Sequence, residues 1–107
     1  MLDPKLKAAY LKALGPLVRE PWLARLDGPS PQNERIKVAG VDFVRIASCK
    51  NHDCYDHNAV FLYSAEQNMV NGIVFQRGRS TLVGQPAPAV AAALPKLWQR
   101  EFRKPSR

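Results

Sequence analysis

Both cysteines and both histidines of this chain fall within nine residues, Cys49-Lys50-Asn51-His52-Asp53-Cys54-Tyr55-Asp56-His57. The Cys-x-x-x-x-Cys pair can close into a small covalent ring, and everything inside it, Lys50, Asn51, His52 and Asp53, is polar or charged. None of these side chains gains from burial, so the ring reads as an exposed tip. Closing so short a loop removes little chain entropy and stabilises a fold by only roughly 2 kcal/mol. The larger effect is local, because a tip whose shape is fixed in advance loses less freedom when it binds.

Several chemistries compete for these residue types. As metal ligands, Cys49, His52, Cys54 and His57 would crowd four donors into one short segment, whereas zinc sites ordinarily separate their ligand pairs by a dozen or more residues. A redox centre needs the tighter Cys-x-x-Cys motif at a helix start. An enzyme could use His52 with Asp53 or Asp56 as base and Ser48 or a free Cys54 as nucleophile. Sequence neighbours do not ordinarily face one another in that geometry, however, and no glycine-rich strand-to-helix turn offers an oxyanion hole. No catalytic residue, metal or cofactor is expected, which leaves recognition by the tip against a solvated loop whose His52 has no role, the ordinary reading of a lone histidine. Lys50 and Asp53 then either pair with rim charges of a target or are simply solvated.

The elements that must position this segment follow from periodicity. Asp3-Pro4 starts a helix whose Leu2, Leu6, Tyr10 and Leu14 recur on one stripe, and Gly15-Pro16 stops it. A second, short helix within 17–26, starting near Pro21, would turn Trp22, Leu23 and Leu26 inward, before Asp27-Gly28-Pro29-Ser30-Pro31 breaks the chain. Runs of β-branched and aromatic residues then predict strands at about 34–38, 41–48, 58–64, 69–77 and 80–83. Ala39-Gly40, 65–68 and Gly78 provide the turns, and connections this short imply an antiparallel meander. Val41 to Ile46 and Ala59 to Tyr63 carry apolar residues on both alternation phases, so both faces of the sheet are covered. A C-terminal helix from about 87 to 103, with Val90, Leu94, Trp98 and Phe102 on one stripe, supplies the second cover. The expected fold is α+β, a three-layer α/β/α sandwich around a five-stranded antiparallel sheet. The connection of about nine residues between the strands at 41–48 and 58–64 is unusually long, and such loops on rigid scaffolds tend to carry function.

Composition sets the outer limits. The 107 residues, 46% hydrophobic and 23% charged, suit one globular domain spanning 1–107 with its own core. The longest apolar stretches are five or six residues, too short for a membrane span. No basic start followed by an apolar run reads as a leader, so export would mean that one has been removed and that Met1 is an expression residue. Lys and Arg outnumber Asp and Glu by 16 to 9, giving a net charge of +7 and a pI near 9.9, which asks for an anionic partner or surface. Arg77, Arg79, Arg100, Arg103, Lys104 and Arg107 could gather into a nucleic-acid-binding patch. The nearby aromatics Trp98 and Phe102 fall on the core stripe instead, and no nucleic-acid motif is present. An even, closely spaced cysteine pair favours a disulfide in an oxidising compartment.

The segment Cys49-Lys50-Asn51-His52-Asp53-Cys54 resembles the C-K-P-H-D-C loop of the inhibitor of vertebrate lysozyme (Ivy) family, matching five of six residues. With Pro21-Trp22 standing for a Pro-x-Trp-like element and a strand on each side of the loop, the resemblance covers the central two thirds of the chain. It implies a periplasmic protein with a helix, sheet, helix sandwich, whose loop enters the lysozyme cleft with its histidine against the catalytic carboxylates. The chemistry is coherent. A retaining glycosidase holds its two carboxyl groups about 5 to 5.5 Å apart, one protonated and one ionised. A neutral imidazole carries one donor and one acceptor on opposite sides of a flat ring and can bridge them, offering no bond to cleave. Asn51 replaces the family's proline and leaves the free loop more entropy, and Tyr55 stands where glycine is common. The expected function is therefore inhibition of a peptidoglycan-cleaving muramidase, either a c-type lysozyme or a lytic transglycosylase, with Lys50, Asn51, His52 and Asp53 as the inhibitory loop. The rival expectation is a basic cell-envelope or nucleic-acid binding module in which the loop is incidental.

Overall fold

The computed structural model describes residues 4–24, 34–50 and 54–103. Strands β1 (Glu34–Val38), β2 (Val41–Cys49), β3 (His57–Ser64), β4 (Met69–Gln76) and β5 (Arg79–Val83) form one antiparallel sheet in the order of the chain. The expected meander is present, and β2 and β3 each run one residue further toward the cysteine segment than periodicity indicated. Two hairpins turn through consecutive left-handed residues, Ala39-Gly40 (φ 50° and 82°) and Arg77-Gly78 (φ 52° and 82°). That geometry matches the twist of the flanking strands, so it is adopted even where a non-glycine side chain must take positive φ.

Helix α1 (Pro4–Leu14), a 3-10 turn (Gly15–Arg19) and the single-turn α2 (Pro21–Ala24) cover one face, and α3 (Pro88–Phe102) covers the other. On the first face Ile46, Ala59, Phe61, Val74 and Val83 pack against Tyr10, Leu14, Trp22 and Leu23. On the second, Phe43, Ala47, Val60, Leu62 and Ile73 pack against Val90 and Leu94. This is the three-layer α+β sandwich expected from apolar residues on both phases of the central strands. Phe61 lies over Gly72, where a Cβ would overlap its ring, and meets Tyr10 edge-on at 4.8 Å. The Tyr10 hydroxyl donates to the Leu23 carbonyl, and burial pushes its ionisation above the ordinary tyrosine range.

The short helix expected within 17–26, starting near Pro21, is α2, which begins at Pro21 and is preceded by the 3-10 turn. Pro21 has no N–H to continue a helix and biases Glu20 toward the extended conformation it adopts (φ −82°, ψ 111°). Leu6, Tyr10 and Leu14 of the α1 stripe face the core; Leu2, Asp3, Leu26 and the 27–31 loop lie outside the described residues. Helix α3 runs through Pro95, which is exposed, so the carbonyl it leaves unbonded can meet water. No helix among the described residues is long and apolar enough to cross a membrane.

Arg45 lies within the sheet face that α3 covers and is only 7% exposed. Its Nε donates to Glu34 Oε1 at 2.9 Å and its Nη1 to Glu101 Oε1 at 3.0 Å, while Arg100 Nη2 reaches the same Glu34 oxygen at 3.1 Å. A buried guanidinium needs such partners. The network joins β1, β2 and the last turn of α3, and that end of the helix lies beside the cysteine segment. Arg100 is thereby engaged within the fold and is not a free member of a basic patch.

Candidate functional site

The two central strands carry the cysteine segment at their ends. Pairing between β2 and β3 runs up to Cys49 opposite Asn58, and one further bond, from the Lys50 N–H to the His57 carbonyl at 2.9 Å, keeps the limbs together. Beyond it, Cys49 and Cys54 are joined by a disulfide with their Cα atoms 4.8 Å apart. With both sulfurs bonded, neither a thiolate metal ligand nor a Cys54 nucleophile remains, and Ser48 is buried within β2. Lys50 is exposed. Asn51, His52 and Asp53, the rest of the expected inhibitory loop, lie outside the described residues.

What the structure adds is the foundation of that loop. Asn58 is fully buried, and its Nδ2 donates to the Cys54 carbonyl at 2.8 Å and to the Tyr55 carbonyl at 3.1 Å. Its Oδ1 accepts a short hydrogen bond from Trp98 Nε1 of α3. The Asp56 carbonyl accepts from the Arg77 N–H at 3.0 Å, in the β4–β5 turn. Arg103, just past the end of α3, donates from Nη2 to the Tyr55 carbonyl at 2.9 Å and lays its guanidinium 3.9 Å from the centre of the Tyr55 ring. Each of the carbonyls of Cys54, Tyr55 and Asp56 is therefore bonded by a residue outside the 49–56 segment.

The opposite face of the sheet contributes separately. His57 is buried at the first position of β3 and meets Trp22 edge-on with ring centres 6.0 Å apart. Trp22 Nε1 donates to Gln76 Oε1 at 3.2 Å, and Gln76 is the strand partner of His57. Two tryptophans thus bracket the root of the loop from the two covering layers. His57, considered above as a metal ligand beside His52, is part of this packing. Among the described residues no group of three or more His, Cys, Asp or Glu is placed to hold a metal ion.

Sequence reasoning found the ring and missed most of its base. Asn58 was not singled out within its strand, Arg77 and Arg103 counted only as charge, and Trp98 only as core. The signal was the polar Asn58 at the head of the apolar run 59–63, within a strand expected to be covered on both faces, since a buried amide must find partners. Over residues 5–105 the chain matches the model of the family described as inhibitor of vertebrate lysozyme (Ivy).

The chain belongs to the Ivy family. A search of curated proteins finds no match. The family match runs from α1 to the end of α3, well beyond the central two thirds over which the loop and its neighbours show the resemblance. Both covering layers are therefore part of what makes the chain an Ivy protein. The family is one of inhibitors, so the chain is an inhibitor of the lysozyme type and not an enzyme.

Proposed function

We propose that this Ivy-family chain, as a single domain over 1–107, inhibits a peptidoglycan-cleaving muramidase in the bacterial periplasm. In this reading the Cys49–Cys54 loop enters the active-site cleft and His52 lies between the catalytic carboxyl groups, accepting from the acid and donating to the carboxylate. Lys50, Asn51 and Asp53 meet the rim of the cleft. The observation that carries the proposal is the disulfide-closed segment at the ends of the two central strands, with its returning limb bonded at three successive carbonyls. A ring closed by a disulfide, with its returning limb so held, loses less freedom on binding than an open loop would, which favours a competitive plug.

Two targets suit the proposal, an animal c-type lysozyme and a lytic transglycosylase acting on the same sugar bond. The net charge of +7 favours a target with an acidic surface. Lysis of purified peptidoglycan, followed with each enzyme in turn and increasing amounts of the protein, tests the reading. Inhibition of at least one that is weakened by His52→Ala is the expected result. No inhibition of either at saturating protein would leave the basic cell-envelope binding module as the better account.

A further inference from the structure

We propose that Arg103 is a positioning residue for the Cys49–Cys54 loop, tying the returning limb to the end of α3 through Tyr55. The consequence for inhibition rests on the function proposed above; the positioning does not. Arg103 stands where α3 has ended, and its own backbone is fixed by donation from its N–H to the Gln99 carbonyl at 2.8 Å. Its Nη1 donates to the Phe102 carbonyl at 2.9 Å, which fixes the near side of the guanidinium. The group then lies among three rings, with centres at 3.9 Å (Tyr55), 4.8 Å (Trp98) and 5.1 Å (Phe75), and its Nη2 bonds the Tyr55 main chain. A planar cation with several fixed donors can stack and bond at once, which an ammonium cannot.

Tyr55 itself contributes little to the core, being 70% exposed. An aromatic ring left that open has no burial to account for it, and the guanidinium lies over its face. The Tyr55 carbonyl accepts twice, from Asn58 on the sheet side and from Arg103 on the helix side. Asn58 is internal to the sheet and is present whenever the protein is folded. Arg103 is the peripheral half of the fastening, so changing it alters the order of Cys54–Asp56 without opening the core.

The order of that limb can be read without any target enzyme, from the exchange in which the protein disulfide and two glutathione thiols give the protein dithiol and one glutathione disulfide. A well-held Cys54 stays near Cys49 after reduction and recloses readily. Arg103→Ala and Tyr55→Ala are expected to shift this equilibrium several-fold toward the dithiol, with Arg103→Lys recovering part of the loss. Leu14→Val, which loosens the core at the far end of the sheet, should lower the melting temperature and leave the equilibrium where it was. Tyr55→Ala removes an exposed ring and so tests the idea even if Arg103→Ala folds poorly. Unchanged equilibria in folded Arg103→Ala and Tyr55→Ala would overturn the proposal. With the positioning upheld, both variants should weaken inhibition about 3- to 10-fold, the scale of ordering one or two further side chains on binding. If the thiol equilibrium shifts but neither these variants nor His52→Ala changes inhibition, Arg103 still positions the loop and the cleft-insertion reading is the one that fails.

Discussion

His52 and His57 lie at similar distances along the chain from the disulfide, and the fold separates what their removal should do. His57 is buried against Trp22 as part of the sheet, so His57→Ala should lower the melting temperature while leaving inhibition close to normal. His52→Ala should do the reverse, weakening inhibition by roughly 2 kcal/mol or more, the scale of a central hot spot, with stability nearly unchanged. Melting curves and inhibition constants for the pair decide the matter, and large equal losses of inhibition from both would remove His52 from its assigned role. Asn58 is the third residue of interest. Asn58→Ala would leave the Cys54 carbonyl and the Trp98 N–H without their partner, for a loss of about 2 kcal/mol in denaturant unfolding. The cysteine ring was legible from spacing alone, while Asn51, His52 and Asp53 lie outside the described residues. Asn58 and Arg103 were not legible, because their roles depend on where α3 lands on the sheet, and a one-dimensional pattern carries no such information.

At the scale of elements, the sheet was readable to within a residue or two because β-branched runs and short turns leave few alternatives. In 15–24 the breaks were legible too, with Gly15-Pro16 ending α1 and Pro21 opening α2, whereas the 3-10 turn between them was not, because its spacing of apolar residues differs little from that of a helix. Since both cores are built from sheet and helices, the disulfide is expected to be dispensable for folding: reduction should cost roughly 2 kcal/mol or less and leave the far-ultraviolet spectrum intact. Loss of the cooperative transition on reduction would contradict this. Docking of α3 has its own pH dependence. The hydrogen bond from Arg45, opposed by partial desolvation and reinforced by the charges of Arg45 and Arg100, holds the Glu34 carboxyl below its ordinary value of 4.5. A carboxyl depressed on folding contributes stability that is fully present above the ordinary value and is lost as pH falls through the folded one. The melting temperature should therefore fall on acidification below about pH 4.5 more steeply in the parent than in Glu34→Gln. Identical acid limbs for the two proteins would show that the network does not hold α3 in place.

The whole molecule brings its charge to any encounter, and the sign of that charge distinguishes the two targets. Animal c-type lysozymes are themselves strongly basic, and this chain carries +7. Its basic residues are not confined to a remote face: Lys50 is exposed on the loop, Arg77 is exposed in the β4–β5 turn whose N–H bonds Asp56, and Arg79 is exposed at the start of β5. Two cations repel most at low ionic strength, where the Debye length is about 30 Å at 0.01 M against about 8 Å at physiological salt. Association with a basic lysozyme should therefore quicken as salt is added. An acidic-surfaced muramidase should show the opposite, fast steering that salt screens away. Stopped-flow association rates at several salt concentrations give the sign for each enzyme. Asn51 leaves the free loop more entropy than the family's proline would, and net charge opposes approach, so inhibition of animal lysozyme is expected to be the weaker of the two. Fast, tight binding to a basic lysozyme at low salt would contradict this ordering and make animal lysozyme the better target, since local contacts at the loop would then outweigh the field of the whole chain.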